Sequence, residues 1–553
     1  MHVCTLKPIP FACALLLLTS VTVQAQTAPD AGQVIQDTQP RDIEPQKPSA
    51  EIEVPEQPLL ETQPGGEAIE LTRIQFQGNS VFDHEQLLAQ LDTPFDQPKD
   101  LAGLRSLANQ ISQYYRNNGY PFARAYLPQQ KLSDGQLTIG ILEGRYGQVK
   151  ADGQLAQGIQ PFLDHSLSQG DLIESDQLER TTLIIGDLPG VRVSPVMRPG
   201  DNTGEGNLDM QSETDQRYQA NVSLDNHGNR YTGAYRAMVN VSANRLITLG
   251  DQASLTAMRT NEGMWFGSAR YDMPLGYSGL RGFASYVRTD YELGTSEFED
   301  AEITGLVDIV SAGVSYPIIR SQTSNLKLSA QLDHKNITDE NGQTDIKNTK
   351  NIKALPVSLQ FDHRDGLGGG GVTYGALTAT VGDLTLEDDD QKTQDAATAD
   401  THGRYGKLHL DAARIQNIGQ GFTAYIRGVG QWANSNLDSS EGLSLGGPRG
   451  VRAYPQGEAS GDMGWLAQIE VRYRWQSLTP YVFADKGHVI TNVDRWDDSD
   501  NTRDLAGAGL GVRVNHKAWS ADLSAAWRGQ GGEPQSDTED DAPRIWGRIG
   551  YRF

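Results

Sequence analysis

The sequence predicts an all-β, 16-stranded antiparallel transmembrane β-barrel preceded by two small α+β domains, and three observations carry this prediction. After Asp215, about sixteen segments alternate apolar with polar residues, and most have roughly the ten residues that a tilted strand needs to cross a bilayer. Aromatic residues such as Trp465 and Trp527 stand at segment ends on the apolar face, as in an interfacial girdle. Short connections alternate with long acidic ones, as a barrel with both ends on one side requires. A soluble β-sandwich would share only the alternation.

The N-terminal 68 residues are expected to lie outside the folded domains. Residues 1–25 combine a charged residue, a short apolar run and a small-residue site, which is typical of a secretory signal peptide. Both cysteines, Cys4 and Cys13, lie there, so the exported chain is expected to have no disulfide and no cysteine nucleophile. Residues 26–68 are rich in proline and are interpreted as a periplasmic arm or linker, with one short helix around Ala31–Asp37.

Two units of the order β-α-α-β-β follow the arm. The first, residues 69–145, has the strand LTRIQFQ, a turn at Gly78-Asn79, an amphipathic helix and two closing strands. The helical spacing is carried by Leu101, Leu104, Leu107, Ile111 and Tyr115. The second unit, residues 146–212, has the strand GQVKA, two helical stretches, and DLPGVRVSPVMRPG and NLDM as closing strands. The barrel is predicted to take residues 213–553.

Composition and motifs argue against several kinds of function. The net charge of −24 argues against a nucleic-acid partner, because phosphate binding needs clustered Lys and Arg. The ten histidines show no metal-ligand spacing, and the acidic loops are interpreted as solvated rather than as Ca²⁺ sites, so no metal and no cofactor is expected. The group Asp362, His363, Arg364 and Asp365 is only a weak hint of hydrolysis. No nucleophile with a positioned base is visible, and the chain is not expected to be an enzyme.

Several motifs together resemble a known family. FQGN, the helix LRSLANQISQYYRNNGY, the segment LPQQKLSDGQLTIGILEGR and DLPGVRVSPVMRPG resemble polypeptide-transport-associated (POTRA) domains. Two such domains before a barrel of this length resemble the two-partner secretion transporters of the haemolysin-activator and filamentous-haemagglutinin secretion type. The resemblance implies an outer-membrane pore of a Gram-negative bacterium with its POTRA domains in the periplasm. Such a pore recognises an extended exoprotein through those domains and moves it to the cell surface without a nucleotide.

The resemblance also implies further partners and leaves an alternative open. The barrel-assembly machinery and periplasmic chaperones are expected during biogenesis, and outer-membrane lipid is expected around the barrel. A barrel-assembly-type insertase also carries POTRA domains and remains the alternative function. A diffusion porin would lack those domains. The C-terminal aromatic residues Tyr551 and Phe553 resemble the signal that the barrel-assembly machinery reads, although a girdle role explains them as well.

The stretch GGPRGVRAYPQGEASGD, residues 446–462, is the most informative loop. It is among the least acidic of the long loops, and counting segments places it between barrel strands eleven and twelve. It resembles the signature loop of the family, whose tip here is formed by Val451, Arg452, Ala453 and Tyr454. Ala453 replaces the glycine usual in that tip, so a different tip turn is expected because alanine disfavours positive φ.

A second motif supplies the partner of this loop. YVFADKG resembles the barrel-wall motif of the family, with Phe483, Asp485 and Gly487 at alternate positions. Alternation independently directs Phe483 and Asp485 into the barrel, because their neighbours are apolar. The resemblance implies that the loop folds back into the lumen and that Arg452 contacts Asp485. The rest of the lumen is expected to be polar, with residues such as Arg236, Asn240, Lys327, Gln331, Glu470 and Arg472.

Overall fold

The computed structural model describes residues 29–38, 43–46, 64–132, 134–295 and 302–553. The predicted signal peptide, residues 1–25, and most of the predicted arm lie outside these ranges. Within them, no helix is both long and apolar enough to cross a membrane. The first described element is helix α1 (Ala31–Thr38), which begins after Asp30, whose carboxylate accepts a hydrogen bond from Gln33 N at 2.9 Å.

The first α+β domain is a three-stranded sheet with two helices. Strand β3 lies between β1, which is parallel to it, and β2, which is antiparallel. The elements in chain order are β1 (Arg73–Gln77), α2 (His84–Leu88), α3 (Leu101–Asn117), β2 (Arg124–Tyr126) and β3 (Gln136–Leu142). The predicted helical stripe is confirmed except at its start, since Leu101 is exposed while Leu104, Leu107, Ile111 and Tyr115 are buried in the core.

The second domain repeats this topology, with sheet order β4-β6-β5. Its elements are β4 (Arg145–Gly153), α4 (Ala156–Ser166), α5 (Ser175–Gly186), β5 (Val191–Pro199) and β6 (Glu205–Thr214). Two predicted boundaries are therefore wrong by one or two residues. Arg145 already belongs to the second domain, and β6 continues past residue 212 because Thr214 still pairs with Val191 of β5.

The remainder of the chain is a closed barrel, as predicted. Sixteen antiparallel strands form it, and β24 returns to pair with β7. These strands are β7 (Tyr218–Asp225), β8 (Arg236–Asn244), β9 (Gln252–Thr260), β10 (Trp265–Pro274), β11 (Arg281–Glu292), β12 (Ile303–Arg320), β13 (Ser324–Asn341), β14 (Ile346–Asp365), β15 (Gly371–Leu386), β16 (Gly403–Gly419), β17 (Phe422–Ala433), β20 (Met463–Tyr473), β21 (Leu478–Ile490), β22 (Thr502–His516), β23 (Trp519–Gln530) and β24 (Arg544–Arg552). The short strands β18 (Leu443–Ser444) and β19 (Ser460–Gly461) lie in the connection between β17 and β20.

Two of the expected long loops are more ordered than the sequence pattern indicates. The stretch TDENGQTDIKNTK is mostly strand, because β13 runs to Asn341 and β14 begins at Ile346. Strands outside the bilayer need no apolar face, since their main chains satisfy one another. The acidic stretch LEDDDQKTQDAATAD contains helix α6 (Asp389–Ala396), in whose first turn the N–H groups of Asp390 and Gln391 donate to the Asp388 carboxylate.

Helix α1 lies inside the barrel, so residues 29–38 do not form part of a periplasmic arm. Its apolar residues Ala31, Val34 and Ile35 belong to a buried cluster with lumen-facing side chains such as Met258 and Ile337. Its N-terminal Ala31 N donates to Asp339 Oδ1 at 2.8 Å. The expectation of a polar lumen therefore does not hold in this part of the barrel, which contains an apolar cluster. The stripe is only three residues long, too short for the sequence pattern to identify.

The contacts between the second domain and the barrel include an ion pair of the buried Arg320 with the partly exposed Asp187. Arg320, at the end of β12, directs Nε and Nη2 to the two carboxylate oxygens of Asp187, at 2.7 and 2.8 Å. The arm passes the same place, because Gln46 Nε2 donates to Asp187 Oδ2 at 3.0 Å and Gln46 N donates to Asp362 Oδ1 at 3.1 Å. The domain, the barrel and the arm meet at this junction.

Candidate functional site

The connection between β17 and β20, residues 434–462 and here called the lumen loop, folds back into the barrel. Its tip, Val451–Tyr454, is buried throughout. Val451 N donates to Leu445 O at 2.7 Å, and Tyr454 N donates to Val451 O at 3.0 Å, which closes a tight turn. Main-chain hydrogen bonds within the loop therefore contribute to the shape of the tip.

Arg452 forms a bidentate ion pair with Asp485 on β21. Its Nε lies 2.8 Å from Asp485 Oδ2 and its Nη2 lies 2.7 Å from Oδ1. The main-chain N of Arg452 also donates to Oδ2, at 3.1 Å. Both residues are buried, with 5% and 3% of their surface exposed. The contact that the family resemblance implied is present, and its planar two-bond geometry is the strong form of a charge-assisted hydrogen bond.

Phe483 forms the floor of the arginine site. The guanidinium carbon of Arg452 lies 3.5 Å from the centre of the Phe483 ring, a cation–π contact. A Cβ at Gly509 on the neighbouring strand would lie 2.4 Å from Phe483 Cζ, so only glycine leaves room for the ring in this position. The sequence motif placed Phe483 correctly but gave no sign of the requirement at Gly509.

Glu470 is a second acceptor for Arg452 and the centre of a larger charge cluster. Arg452 Nη1 lies 2.6 Å from Glu470 Oε1. Oε2 of the same carboxylate lies 2.6 Å from Arg472 Nη2 and 3.1 Å from Arg513 Nη1. Arg513 continues to Asp522 at 2.6 Å. Sequence alternation predicted that Glu470 and Arg472 face the lumen. It could not predict that they belong to the arginine site, because Arg452 and Arg513 come from other parts of the chain.

Ala453 fits the tip without strain. Its φ is not positive, so the turn does not need the glycine usual in the family. The alanine methyl group packs on Gly507 of β22, where an added Cβ would lie 2.5 Å from Ala453 Cβ. The hydroxyl of the neighbouring Tyr454 lies within hydrogen-bonding distance of two carbonyl oxygens, Gln530 O at 2.8 Å and Gly532 O at 3.0 Å, which share its single proton.

Gly487 makes room for the stem of the lumen loop. A Cβ at this position would lie 2.8 Å from Leu445 Cδ2. Two further contacts at the tip have no sequence signal. Trp546 Nε1 donates to Arg452 O at 2.8 Å, and Gln468 Nε2 donates to Gly450 O at 2.8 Å. The tip therefore contacts five wall strands, β20 to β24.

The stem of the lumen loop carries a second set of buried ion pairs. Glu441 accepts from Lys335 and, at 2.6 Å, from Lys407. Asp438 accepts from Lys350 at 2.7 Å, and the same lysine lies 3.7 Å from Asp30, the residue that caps α1. A Cβ at Gly32 of α1 would lie 2.1 Å from Ser439 Oγ. Helix α1 and the stem are thus in direct contact, and Lys350 pairs with carboxylates of both.

The two predicted C-terminal residues lie at the edge of the barrel. Tyr551 packs against Trp519 and Phe553, both with ring centres 4.8 Å away. Phe553 N donates to Ala220 O of β7 at 2.9 Å, while its side chain is exposed. This placement agrees with a girdle position, and a role as an assembly signal remains a prediction.

Comparison with known proteins places this geometry in one family. The profile of the haemolysin secretion/activation proteins ShlB/FhaC/HecB matches residues 204–514, and that of the ShlB-type POTRA domain matches residues 69–144. The chain belongs to the ShlB/FhaC/HecB family. It is an outer-membrane β-barrel transporter of the two-partner secretion class, as the sequence resemblance implied.

Named relatives cover most of this ShlB/FhaC/HecB member. The heme/hemopexin transporter protein HuxB of Haemophilus influenzae is 29% identical over 474 residues, covering 84% of this chain and 83% of that protein. The outer membrane transporter CdiB of Dickeya dadantii is 24% identical, covering 81% of each. The solved structure of CdiB from Escherichia coli superposes with a TM-score of 0.71 at 20% identity, over 90% of this chain and 93% of that one. The alternative of an insertase finds no better support in these matches.

Proposed function

We propose that this transporter captures its secreted partner as an extended chain on the two POTRA domains and passes it through the barrel after the lumen loop and α1 move aside. The observation that carries this proposal is the buried pair between Arg452 and Asp485, which holds the lumen loop against the wall. It is a specific, removable contact in the path that a transported chain would take.

The POTRA sheets are suited to binding extended chains. Each sheet has two edge strands, β1 and β2 in the first domain and β4 and β5 in the second. An extended segment can add to such an edge through main-chain hydrogen bonds, which tolerate many side-chain sequences. This mode of binding suits a transporter that must accept a long, varied polypeptide.

Opening of the lumen requires two groups of ion pairs to separate. Removing one member of a buried pair destabilises the remaining charge by roughly 3–5 kcal/mol, whereas an exposed pair contributes only about 0.2–1 kcal/mol. When the whole loop moves into water, Arg452 and its carboxylate partners become exposed together. Both charges are then solvated, and neither stays buried without a partner. The docked loop is therefore stable, yet it can be displaced by a chain that enters the lumen.

Transport in this proposal needs no chemistry from the chain itself. We propose that it is not an enzyme and uses no cofactor, and that folding of the partner outside the cell draws it through. Biogenesis would use periplasmic chaperones and the barrel-assembly machinery, which would read Tyr551 and Phe553. Exposed aromatic residues such as Trp475 and Trp519 would anchor the barrel in outer-membrane lipid.

Gene deletion with complementation tests the function directly. A large exoprotein encoded beside this gene would be the candidate partner, and its amount is measured in the culture medium and in the periplasm of the deletion strain. Loss of its secretion, with other outer-membrane barrels at normal levels, supports a dedicated transporter. Normal secretion in the deletion strain contradicts the proposal, and a general loss of barrels favours the insertase.

The lumen loop is tested in the same strain. Arg452→Ala is expected to alter secretion of the exoprotein and the conductance of the purified protein in planar bilayers, because the loop loses its wall contact. Arg495→Ala, which changes an exposed arginine in another loop, is the matched control and is expected to behave as wild type. Wild-type secretion and conductance in Arg452→Ala contradict the role of the pair.

A further inference from the structure

The second POTRA domain has an edge strand, β4, which pairs with β6 on one side. On the other side the start of β4 is covered by main chain, since Tyr146 N donates to Asp171 O at 2.9 Å and Gly170 N donates to Tyr146 O at 2.7 Å. Further along, at Val149 and Ala151, this side is covered by a single side chain. Because main-chain groups alternate along a strand, the Val149 carbonyl and the Ala151 N–H lie on the same edge, which faces α4 rather than β6. Unpaired groups of this kind form a template for another strand.

Gln160 of α4 fills this template. Its Nε2 donates to Val149 O at 3.1 Å, and its Oε1 accepts from Ala151 N at 2.7 Å. In a parallel ladder, one residue of the neighbouring strand donates to one carbonyl and accepts from the N–H two residues further on. The side-chain amide of Gln160 therefore replaces one residue of an absent parallel strand.

The space beside this contact is an open groove. A cavity of about 460 Å³ lies between β4 and α4, and its lining includes Gln148, Lys150, Gln160, Asp164, Leu167 and Gln169. Lys150 and Asp164 balance each other in charge, and most of the other lining groups are uncharged and polar. Such a lining fits a strand with hydroxyl and amide side chains better than an apolar or a strongly charged one.

We propose that the edge of β4 at Val149 and Ala151 is a docking site for an extended, uncharged polar segment of the secreted partner, and that Gln160 is a placeholder which this segment displaces. The inference rests on the proposed function, because the occupant is the transported protein. Gln160 has a second acceptor to hold it, since its Nε2 also donates to Asp164 Oδ1 at 2.8 Å. The amide thus stays paired when the edge is open to a partner.

Peptide binding to the full chain in detergent tests this site. The probe is a fluorescein-labelled peptide of five Thr-Gln repeats, and a version with alternate residues replaced by proline cannot pair and serves as the negative probe. In fluorescence anisotropy, Gln160→Ala is expected to bind the Thr-Gln peptide ~5- to 10-fold more tightly than wild type, because two hydrogen bonds need not be broken first. Gln169→Ala, in the same groove, is expected to bind like wild type.

Hydrogen exchange keeps the test decisive. The Ala151 amide is expected to exchange faster in Gln160→Ala than in wild type and to regain protection when the Thr-Gln peptide is saturating. Gln160→Met, which retains the length of the side chain but carries no amide, is a second variant that removes both hydrogen bonds to Val149 O and Ala151 N. It should bind the peptide more tightly than wild type. A freed Ala151 amide without tighter peptide binding in either variant overturns the proposal and leaves Gln160 as a cap that only prevents pairing.

The secretion assay separates this inference from the proposed function. Normal exoprotein secretion by the deletion strain contradicts transport itself, whatever the peptide does. Restoration of secretion by the wild-type gene, together with equal peptide binding by Gln160→Ala and Gln169→Ala, contradicts only the docking site. Tight peptide binding with changed exoprotein secretion in Gln160→Ala alone supports both.

Discussion

Substitution of Arg452 by alanine is expected to release the tip of the lumen loop while the barrel remains folded. In the docked state of this variant, Asp485 stays buried and loses its bidentate partner. It keeps the main-chain N–H of residue 452, at 3.1 Å, and a weak contact with Gln468 Nε2 at 3.4 Å, but no cation. Glu470 is less affected, because Arg472 and Arg513 still reach it.

The magnitude follows mainly from Asp485. Leaving one buried charge without its partner destabilises a structure by about 3–5 kcal/mol. Since about 1.4 kcal/mol changes an equilibrium tenfold, the ratio of undocked to docked loop is expected to rise by ~10²- to 10³-fold. The lost contact with Phe483 adds a smaller amount, about 0.5–2 kcal/mol for a cation–π pair.

Hydrogen exchange of the tip amides measures this change. The amides of Val451 and Tyr454 are hydrogen-bonded within the loop, so they exchange when the loop opens. Their exchange rates should rise by about two to three orders of magnitude, while amides in the centre of β13 and β14 stay protected. Heat modifiability on gels shows whether the barrel itself remains folded.

Tip exchange within about threefold of wild type would refute this reasoning, because a stranded charge cannot have so small an effect. The double variant Arg452→Met with Asp485→Leu provides an internal check. Replacing both members of a buried pair by apolar residues is often nearly neutral, so this variant should dock its loop better than Arg452→Ala alone. Equal loss in both would show that the charge of Asp485 is not the cause.

Three further changes test other parts of the structure. Gly507→Ala should displace the tip and speed hydrogen exchange of the tip amides, because the new Cβ would lie 2.5 Å from Ala453 Cβ. Gly428→Ala is the control, because nothing lies within 4 Å of a Cβ at that position. Equal exchange rates in the two variants would contradict the contact between Gly507 and Ala453. Glu143→Gln should destabilise the first POTRA domain by about 1–3 kcal/mol in chemical denaturation, because Glu143 accepts from Ser80 N, Val81 N and Tyr115 OH. Burial raises the pKa of Glu143, but these hydrogen bonds hold the pKa below the usual 4.5. The stability of the wild-type domain should therefore persist above that pH and fall as the pH drops below it. The Glu143→Gln variant should lack this fall. Phe553→Ala should lower the amount of barrel in the outer membrane without lowering its thermal stability, since the ring is exposed; unchanged levels on immunoblots contradict a signal role.

The barrel was predictable because its strands obey one simple rule. Lipid on one side and lumen on the other force alternation, which residues such as Ile469 and Glu470 show directly in the sequence. Alternation is required only where the strands contact lipid. Beyond the bilayer, β13 and β14 continue through polar residues up to Asn341 and from Ile346, so the pattern there resembled a loop.

Helix α1 shows a different limit. A short helix around Ala31–Asp37 was predicted, yet its place in the lumen was not, because a periplasmic arm and a lumen plug can have the same composition. Only long-range contacts decide between them, such as those of Asp30 with Ser439 and of Ala31 with Asp339. Sequence separation of this size leaves no local signal.

The arginine site was predictable in pairs but not as a network. The two motifs identified Arg452 and Asp485, since each lies in a short pattern with fixed spacing. Arg513 and Gly509 lie on β22, and Trp546 lies on β24, in segments with no distinctive pattern. They join the site because barrel closure brings these strands beside the loop, which is a property of topology rather than of local sequence.

Charge balance in this network explains how a loop can be both buried and releasable. Three arginines, Arg452, Arg472 and Arg513, face three carboxylates, Glu470, Asp485 and Asp522, so the docked cluster carries no net charge. Undocking removes only Arg452 and leaves the wall with one net negative charge. That charge is then solvated in the opened lumen. Water weakens the Coulomb attraction between Arg452 and the wall carboxylates, and at moderate salt this attraction is screened beyond about 10 Å. The same pair that fixes the resting loop therefore does not hold it once a transported chain has separated the two sides.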